Sequence, residues 1–312
     1  TMDHLCGLDN MKCLSSISTD DAIALEQFRE TYNARCPSDM PKNDEELLIP
    51  TWYPNYKDLP SCGWRPLDDL TLYRFLCADR NKNGKFQQDI SLDRLLQTIN
   101  YRREQKADEI LEAILLKEQQ QSDALLVKLL PNLEKYKRVR IRVFTGRDYS
   151  NQPVLFERLG EFISLGNYSQ FTIEEWVKYY VWDLERHFVE MRKCAADNNK
   201  SISTFTIFLD AHGITSPRNA MKVIPLLKAL TKAVEKFYPE IAERIIIFRI
   251  PRIMSFLYRA VRVFLDPVTA EKIRLHPGIP LEKEFLKHIP IEAIPEEYGG
   301  KSNVHFPQTA TN

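Results

Sequence analysis

Residues 237–273, FYPEIAERIIIFRIPRIMSFLYRAVRVFLDPVTAEKI, constrain the fold more than any other part of the chain. Ile245, Ile246, Ile247 and Phe248 form an apolar run of strand length, rich in β-branched side chains, which reads as a buried strand. Pro251 ends the run. From Ile253 the period becomes helical. Ile253, Phe256, Leu257, Ala260, Val261 and Phe264 fall on one face, and Arg252, Ser255, Arg259 and Arg262 on the other. Asp266-Pro267 stops the helix, because the proline ring pushes the preceding residue out of the helical region. A second helix start follows. An amphipathic helix with an arginine stripe has two jobs open to it: covering a core, or walling an apolar pocket and meeting a membrane surface.

The same alternation of strand and helix recurs upstream. Residues 138–143 alternate strictly, as a half-buried strand does, and residues 154–159 return after a turn at Gly146-Arg147-Asp148. Residues 171–194 read as a long helix, with Thr172 as cap and Glu174 and Glu175 in its first turn. Residues 204–209 read as a strand and 219–237 as a helix. This order predicts an α/β fold with a mainly parallel sheet. Residues 68–130 read as mostly helical, with Leu70, Tyr73, Phe75 and Leu76 supplying one buried face. Ahead of them, Thr19-Asp20-Asp21 caps a short helix over 22–32. A proline-rich stretch with Trp52, Tyr53, Tyr56 and Trp64 then reads as an ordered, irregular wrap. The expected organisation is an extension over 1–67 packed on the helical lobe, a helical bundle over 68–135, an α/β lobe over 136–301 and a polar tail over 302–312.

Charge and cysteine usage exclude several classes of function. The 43 basic and 43 acidic residues cancel, which argues against a nucleic-acid binder. Six cysteines are scattered without CxxC spacing, so reduced thiols are expected and zinc is not. No apolar run approaches the roughly 20 residues that span a bilayer, and the opening TMDHLCGLDN lacks the pattern of a secretory signal. A cytoplasmic protein with reversible, peripheral membrane contact is expected. Asp79-x-Asn81-x-Asn83-Gly84 imitates a calcium loop, but Ile90 stands where the bidentate carboxylate belongs, so a turn between helices is the better reading. Asp210 and His212 have no accompanying nucleophile motif, and Asp210 reads as a corner that bonds turn amides. His187 reads as an exposed helix residue rather than a haem ligand. Neither a cofactor, a metal nor enzymatic activity is expected.

Five pieces, in order, carry a family resemblance. Leu72-Tyr73-Arg74-Phe75-Leu76-Cys77-Ala78 is similar to an "LLRFLRA" helix. Residues 153–160, PVLFERLG, resemble a "GRPVYFEELG" strand, and residues 206–213, TIFLDAHG, a "TIMDLKG" strand end. Tyr238-Pro239-Glu240, with FLDPVTAEKI at 264–273, and IPEEYGG at 294–300 complete the set. Together they resemble the CRAL-TRIO lipid-binding domain, and more narrowly the secretory-pathway phosphatidylinositol/phosphatidylcholine transfer proteins of the Sec-fourteen class. The resemblance implies an N-terminal helical bundle and a lobe whose mainly parallel sheet floors an apolar lipid cavity, flanked by helices and closed by a gating helix.

That resemblance also implies a function without covalent chemistry: extracting a phospholipid from a membrane and exchanging it. Glu240, Thr269 and Lys272 match the family's inositol-headgroup residues. A carboxylate accepts ring hydroxyl protons, while a hydroxyl and an ammonium engage the phosphodiester. The family's basic pair is reduced here to one cation. Asp79 takes the first position, and Arg80 or, with a shifted gap, Lys85 takes the second. Phe205, Ile207, Leu155 and Leu184 stand where the family places polar or aromatic groups around phosphatidylcholine, so that lipid is expected to bind poorly. These four residues, with the apolar face of the helix at 253–264, would line the acyl cavity and its gate. Arg252, Arg259 and Arg262 would face the membrane. A monomer is expected. The alternatives are a lipid-sensing scaffold that presents phosphoinositide to a kinase or binds a small GTPase, and a carrier of a sterol, prenol or haem.

Overall fold

The computed structural model describes residues 17–36, 69–81, 83–120, 122–198, 202–251, 254–265 and 267–307. In chain order they form α1 (Thr19–Arg35), α2 (Asp69–Ala78), α3 (Gln88–Gln105), α4 (Ala107–Glu118), α5 (Ala124–Leu129), α6 (Leu133–Val139), β1 (Arg142–Arg147), β2 (Pro153–Glu157), α7 (Leu159–Ser164), α8 (Ile173–Asn198), β3 (Phe205–Asp210), α9 (Pro217–Phe237), β4 (Ala242–Phe248), α10 (Met254–Arg262), α11 (Pro267–Glu271) and β5 (Ile273–Leu275). The expected aromatic-rich wrap lies outside the described residues. The chain divides into two compact units, 1–126 with 181–204 and 236–241, and 127–180 with 205–235 and 242–312. α8 passes from the second unit into the first at residue 181.

The first unit is helical. α1 buries Leu25, Phe28 and Tyr32, a spacing of three and four that keeps them on one stripe. Its cap is Ser18, one residue before the expected Thr19, with the Ser18 hydroxyl accepting from the Asp21 amide at 3.1 Å. α2 buries Leu72, Tyr73 and Leu76. Lys106, in the left-handed conformation at φ 56°, makes the sharp joint between α3 and α4.

A charged network sits inside this unit. Arg102 is 2% exposed and Glu185 0%. The guanidinium donates to both Glu185 oxygens, at 2.6 and 3.2 Å, and to Asp108 at 3.0 Å. The Tyr238 hydroxyl donates to Glu185 at 2.9 Å. Burial pushes the Glu185 carboxyl above its usual range, against the pull of Arg102. A buried charge left without its partner is expensive, so these residues are secured as a set.

The second unit holds a five-stranded sheet in the order β1-β2-β3-β4-β5. β1 and β2 are antiparallel; the other three pairings are parallel. One face carries Phe156, Phe208, Ile246 and Phe248, each 0% exposed. They pack against Phe285, Ile294 and Tyr298 from the C-terminal segment, with ring centroids of Phe156 and Phe208 at 4.6 Å and of Phe248 and Phe285 at 5.1 Å. α7 lies close against the loop after β3. A Cβ on Gly160 would sit 1.9 Å from the His212 carbonyl oxygen, so only glycine allows that approach.

Two stretches differ from the sequence reading. Residues 138–143 are not one strand: α6 runs to Val139 and β1 begins at Arg142. Leu133 and Tyr136 anchor the helix by their burial. The arginines that made the alternation turn inward, Arg140 and Arg142 meeting Glu157 at 3.0 and 2.9 Å and the Tyr180 ring at 4.6 and 5.7 Å. The second helix start after Pro267 is brief, because Ile273 and Leu275 alternate with exposed Arg274 and complete the sheet edge as β5.

Two stability predictions follow from this packing. Arg102→Met leaves Glu185 buried without its counter-ion and is expected to lower unfolding free energy by about 3–5 kcal/mol in urea titration. Adding Glu185→Leu should recover most of that loss. Gly160→Ala forces α7 off the His212 loop and should cost about 1–3 kcal/mol in the same measurement.

Candidate functional site

The second face of the sheet is apolar as well, but it is not closed in the same way. The register aligns Leu155, Ile207, Ile245 and Ile273 in one row across four strands. A second row runs Glu157, Leu209, Ile247 and Leu275. Leu155 is 2% exposed and Ile207 8%, whereas Ile245, Leu209, Ile273 and Leu275 are half-buried. Ile247, between Leu209 and Leu275, is buried at 6%, so the accessible positions of the face are Leu209 on β3, Ile245 on β4 and both residues of the edge strand β5. Phe205, at the start of β3, is buried too. Leu184 is buried within α8, in the first unit.

α10 follows β4 as the helical period predicts. The side chains of Arg252, Ile253, Phe256 and Leu257 lie outside the described residues. Ala260, Val261 and Phe264 are half-buried, while Arg259 and Arg262 are exposed, so the described part of the helix keeps its two faces. The Lys228 ammonium of α9 lies 4.2 Å from the centre of the Phe264 ring. Val263 is 75% exposed, an apolar residue beside the arginine stripe.

The predicted polar residues belong to both units. In the second, Lys272 is 9% exposed. Its amide bonds to the Thr269 carbonyl at 3.2 Å, closing the end of α11. Thr269 itself is half-buried.

In the first unit, Arg80 and Glu240 are brought near one group, the Cys77 thiol at the end of α2. Burial pushes that thiol up to about 12; Arg80 pulls it down and Glu240 pushes it further up. Glu240 adopts the left-handed conformation at φ 56°, which is costly for a residue with a Cβ and tends to persist at functional positions. Arg80 reaches Asp21 of α1 at 3.0 Å, and its guanidinium carbon lies 4.2 Å from the centre of the Phe86 ring. Asp79 pairs with Arg94 at 2.6 Å. Lys85 is exposed, and its backbone closes a turn with Asn81. The Asn81 side chain accepts from the amides of Asn83 and Lys85, which makes the calcium-like spacing a turn. Among the described residues, no group of His, Cys, Asp or Glu is arranged to hold a metal ion.

A separate polar cleft of about 270 Å³ is lined by Arg158, Glu161, Asp210, His212, Arg249 and Glu297. Asp210 is its hub. It accepts from the His212 amide at 3.0 Å, as the corner reading predicts, and also from the Tyr298 hydroxyl at 2.9 Å and the Arg249 guanidinium at 2.8 Å. With both oxygens engaged, this carboxylate is a structural tie. His187 departs from expectation. It is 1% exposed, and its Nδ1 meets the Asp183 carbonyl one turn back.

Asp21, Tyr73 and Phe86 were not singled out from sequence as site residues. Nothing in their spacing marks them, since Asp21 and Phe86 approach Arg80 only once α1 docks and the Gly84 turn folds back. The Arg249–Asp210–Tyr298 tie was equally hidden, its members being 39 and 88 residues apart.

Comparison with known proteins places this geometry in a family. The CRAL/TRIO domain matches residues 137–300. A CRAL-TRIO domain-containing protein of Saccharomyces cerevisiae is 32% identical over 279 residues, covering 87% of this chain and 82% of that protein. The SEC14 cytosolic factor of Kluyveromyces lactis is 28% identical over 299 residues, 90% of this chain and 89% of that one. An Arabidopsis thaliana phosphatidylinositol/phosphatidylcholine transfer protein is 30% identical over half of this chain and 27% of its own length. The crystal structure of Sfh5 superposes with a TM-score of 0.60 at 15% identity, over 95% of this chain and 90% of that one, a likeness of fold. The chain belongs to the CRAL-TRIO domain family.

Proposed function

We propose that this protein binds a phospholipid, with phosphatidylinositol preferred, and exchanges it between membranes without covalent chemistry. The observation that carries the reading is the second face of the sheet, where an aliphatic row crosses four strands and Ile245, Ile273 and Leu275 on β4 and β5 remain half-buried. A phospholipid moved through water exposes two acyl chains. At about 0.8 kcal/mol per methylene, roughly thirty methylenes amount to about 25 kcal/mol, so a carrier has to enclose them against an apolar wall. That sheet face is suited to be the floor. The helix at 253–264 is suited to be the door, its apolar side toward lipid and its arginines outward. Arg259 and Arg262 would each gain about 1 kcal/mol near an anionic surface. Contact with the membrane is then peripheral; among the described residues no helix is long and apolar enough to cross one.

For the headgroup, Lys272 and Thr269 are assigned to the phosphodiester, Glu240 to the ring hydroxyls, and Arg80 to the remaining phosphate charge, with exposed Lys85 as its alternative. The burial of Lys272 and the strained backbone of Glu240 support these roles. Phosphatidylcholine is disfavoured, because Leu155, Leu184, Phe205 and Ile207 offer its phosphate no donors. Two relatives are named for transfer of both lipids or for a cytosolic factor, which agrees with a cytosolic carrier. No cofactor is assigned.

The test is transfer of labelled phosphatidylinositol between donor and acceptor vesicles. The wild-type protein should raise transfer well above background. Lys272→Glu should lower it about ten- to hundredfold, the loss of one charge-assisted contact converted to a rate or affinity ratio. Full transfer by Lys272→Glu would overturn the headgroup assignment. Lipid binding with transfer at background would instead identify a sensing scaffold.

A further inference from the structure

We propose that Asp21 is a specificity-determining residue for the headgroup: it fixes the orientation of Arg80 and cancels its net charge, so that the site does not accept any anion indiscriminately. The proposal rests on the headgroup reading above.

Where the family resemblance calls for two cations, this chain keeps one. The Asp79 position is taken up by the ion pair with Arg94, 2.6 Å away, and Asp79 is buried. Arg80 must then stand in for the pair beside Lys272, and a single guanidinium on a long stem is a poor discriminator unless it is held. It is held on two sides. The Phe86 ring lies against it, 4.2 Å from ring centre to guanidinium carbon, and Asp21 takes one terminal nitrogen at 3.0 Å. Asp21 is itself fixed: the same oxygen accepts from the hydroxyl of Tyr73, a fully buried residue, at 2.7 Å, and its amide is tied to the cap at Ser18.

The Arg80 Nε–H is shielded from solvent and has no acceptor among the described residues. An arginine anchored through one terminal nitrogen and laid against an aromatic ring keeps the rest of its fork in a fixed direction, with donors to spare for an oxygen. The pair Asp21–Arg80 is neutral overall. It therefore offers a phosphodiester a directed donor without offering a phosphomonoester a free positive charge. Removing Asp21 should loosen the guanidinium and add a net positive charge, trading orientation for general anion attraction.

The experiment compares transfer of phosphatidylinositol with transfer of phosphatidic acid, matched in acyl chains, between neutral vesicles at physiological salt. Asp21→Asn, which keeps shape and loses charge, and Asp21→Ala should each lower the phosphatidylinositol-to-phosphatidic acid ratio about two- to fivefold. In an Arg80→Gln background the same changes should shift the ratio no further, because the two residues act as one unit. Lys272→Glu, run alongside, reports on the headgroup reading separately. If Lys272→Glu abolishes phosphatidylinositol transfer while Asp21→Asn leaves the ratio unchanged, this proposal falls and the headgroup reading stands. An equal shift in the presence and absence of Arg80, or a fall in melting temperature with an unchanged ratio, also overturns it. A wild-type protein that moves no phosphatidylinositol removes the headgroup reading and this proposal with it.

Discussion

A mainly parallel sheet has to bury both of its faces, because helical crossovers leave neither to water. Here both faces are apolar, and they are covered to different degrees. Against one, the C-terminal segment seats Phe285, Ile294 and Tyr298 so closely that Phe156, Phe208, Ile246 and Phe248 retain no exposure. Against the other, burial fades from Leu155 through Ile207 to Ile245 and Ile273. At about 25 cal/mol per Å², such a face needs a cover. An amphipathic helix and a pair of acyl chains are the covers that the proposed function supplies. A face packed as solidly as the first would leave no role for either.

The polar residues follow a complementary rule: charges near the core are secured in sets. Arg102 with Glu185 and Tyr238, Arg140 and Arg142 with Glu157, Arg249 with Asp210 and Tyr298, and Arg80 with Asp21 all bring opposite charges together at or below the surface. Two of the five non-glycine residues with positive φ among the described residues flank β4. Glu240 lies two residues before that strand and Arg249 directly after it, both left-handed without being glycine. Arg249 is held in place by its contact with Asp210.

Much of the architecture is legible in the residues because it depends on period and punctuation. The run at 245–248, the helical spacing from 253 and the Asp266-Pro267 stop mark β4 and α10 closely. Thr172 and Glu175 cap α8 reciprocally, at 2.9 and 3.2 Å, as the local pattern predicts. Errors arose where a pattern had two physical origins. Arginine alternation at 138–142 reads as a strand whose arginines face solvent or pair with acids; Arg140 and Arg142 do pair with Glu157, but the residues up to Val139 belong to α6. His187 resembled a surface residue because its neighbour is Arg186, yet the helix turns it inward. Contacts that join distant segments, such as Asp21 with Arg80, leave no trace in local spacing.

The central claim is that the half-buried sheet face belongs to a site for a phospholipid's hydrocarbon. Native mass spectrometry of the protein purified from cells tests it directly, since a bound lipid adds its own mass and can be released and fragmented. The account predicts one phospholipid per chain, carrying an inositol headgroup. A chain that remains at its bare mass after exposure to phosphatidylinositol vesicles, or that retains only a sterol, prenol or haem, would contradict it.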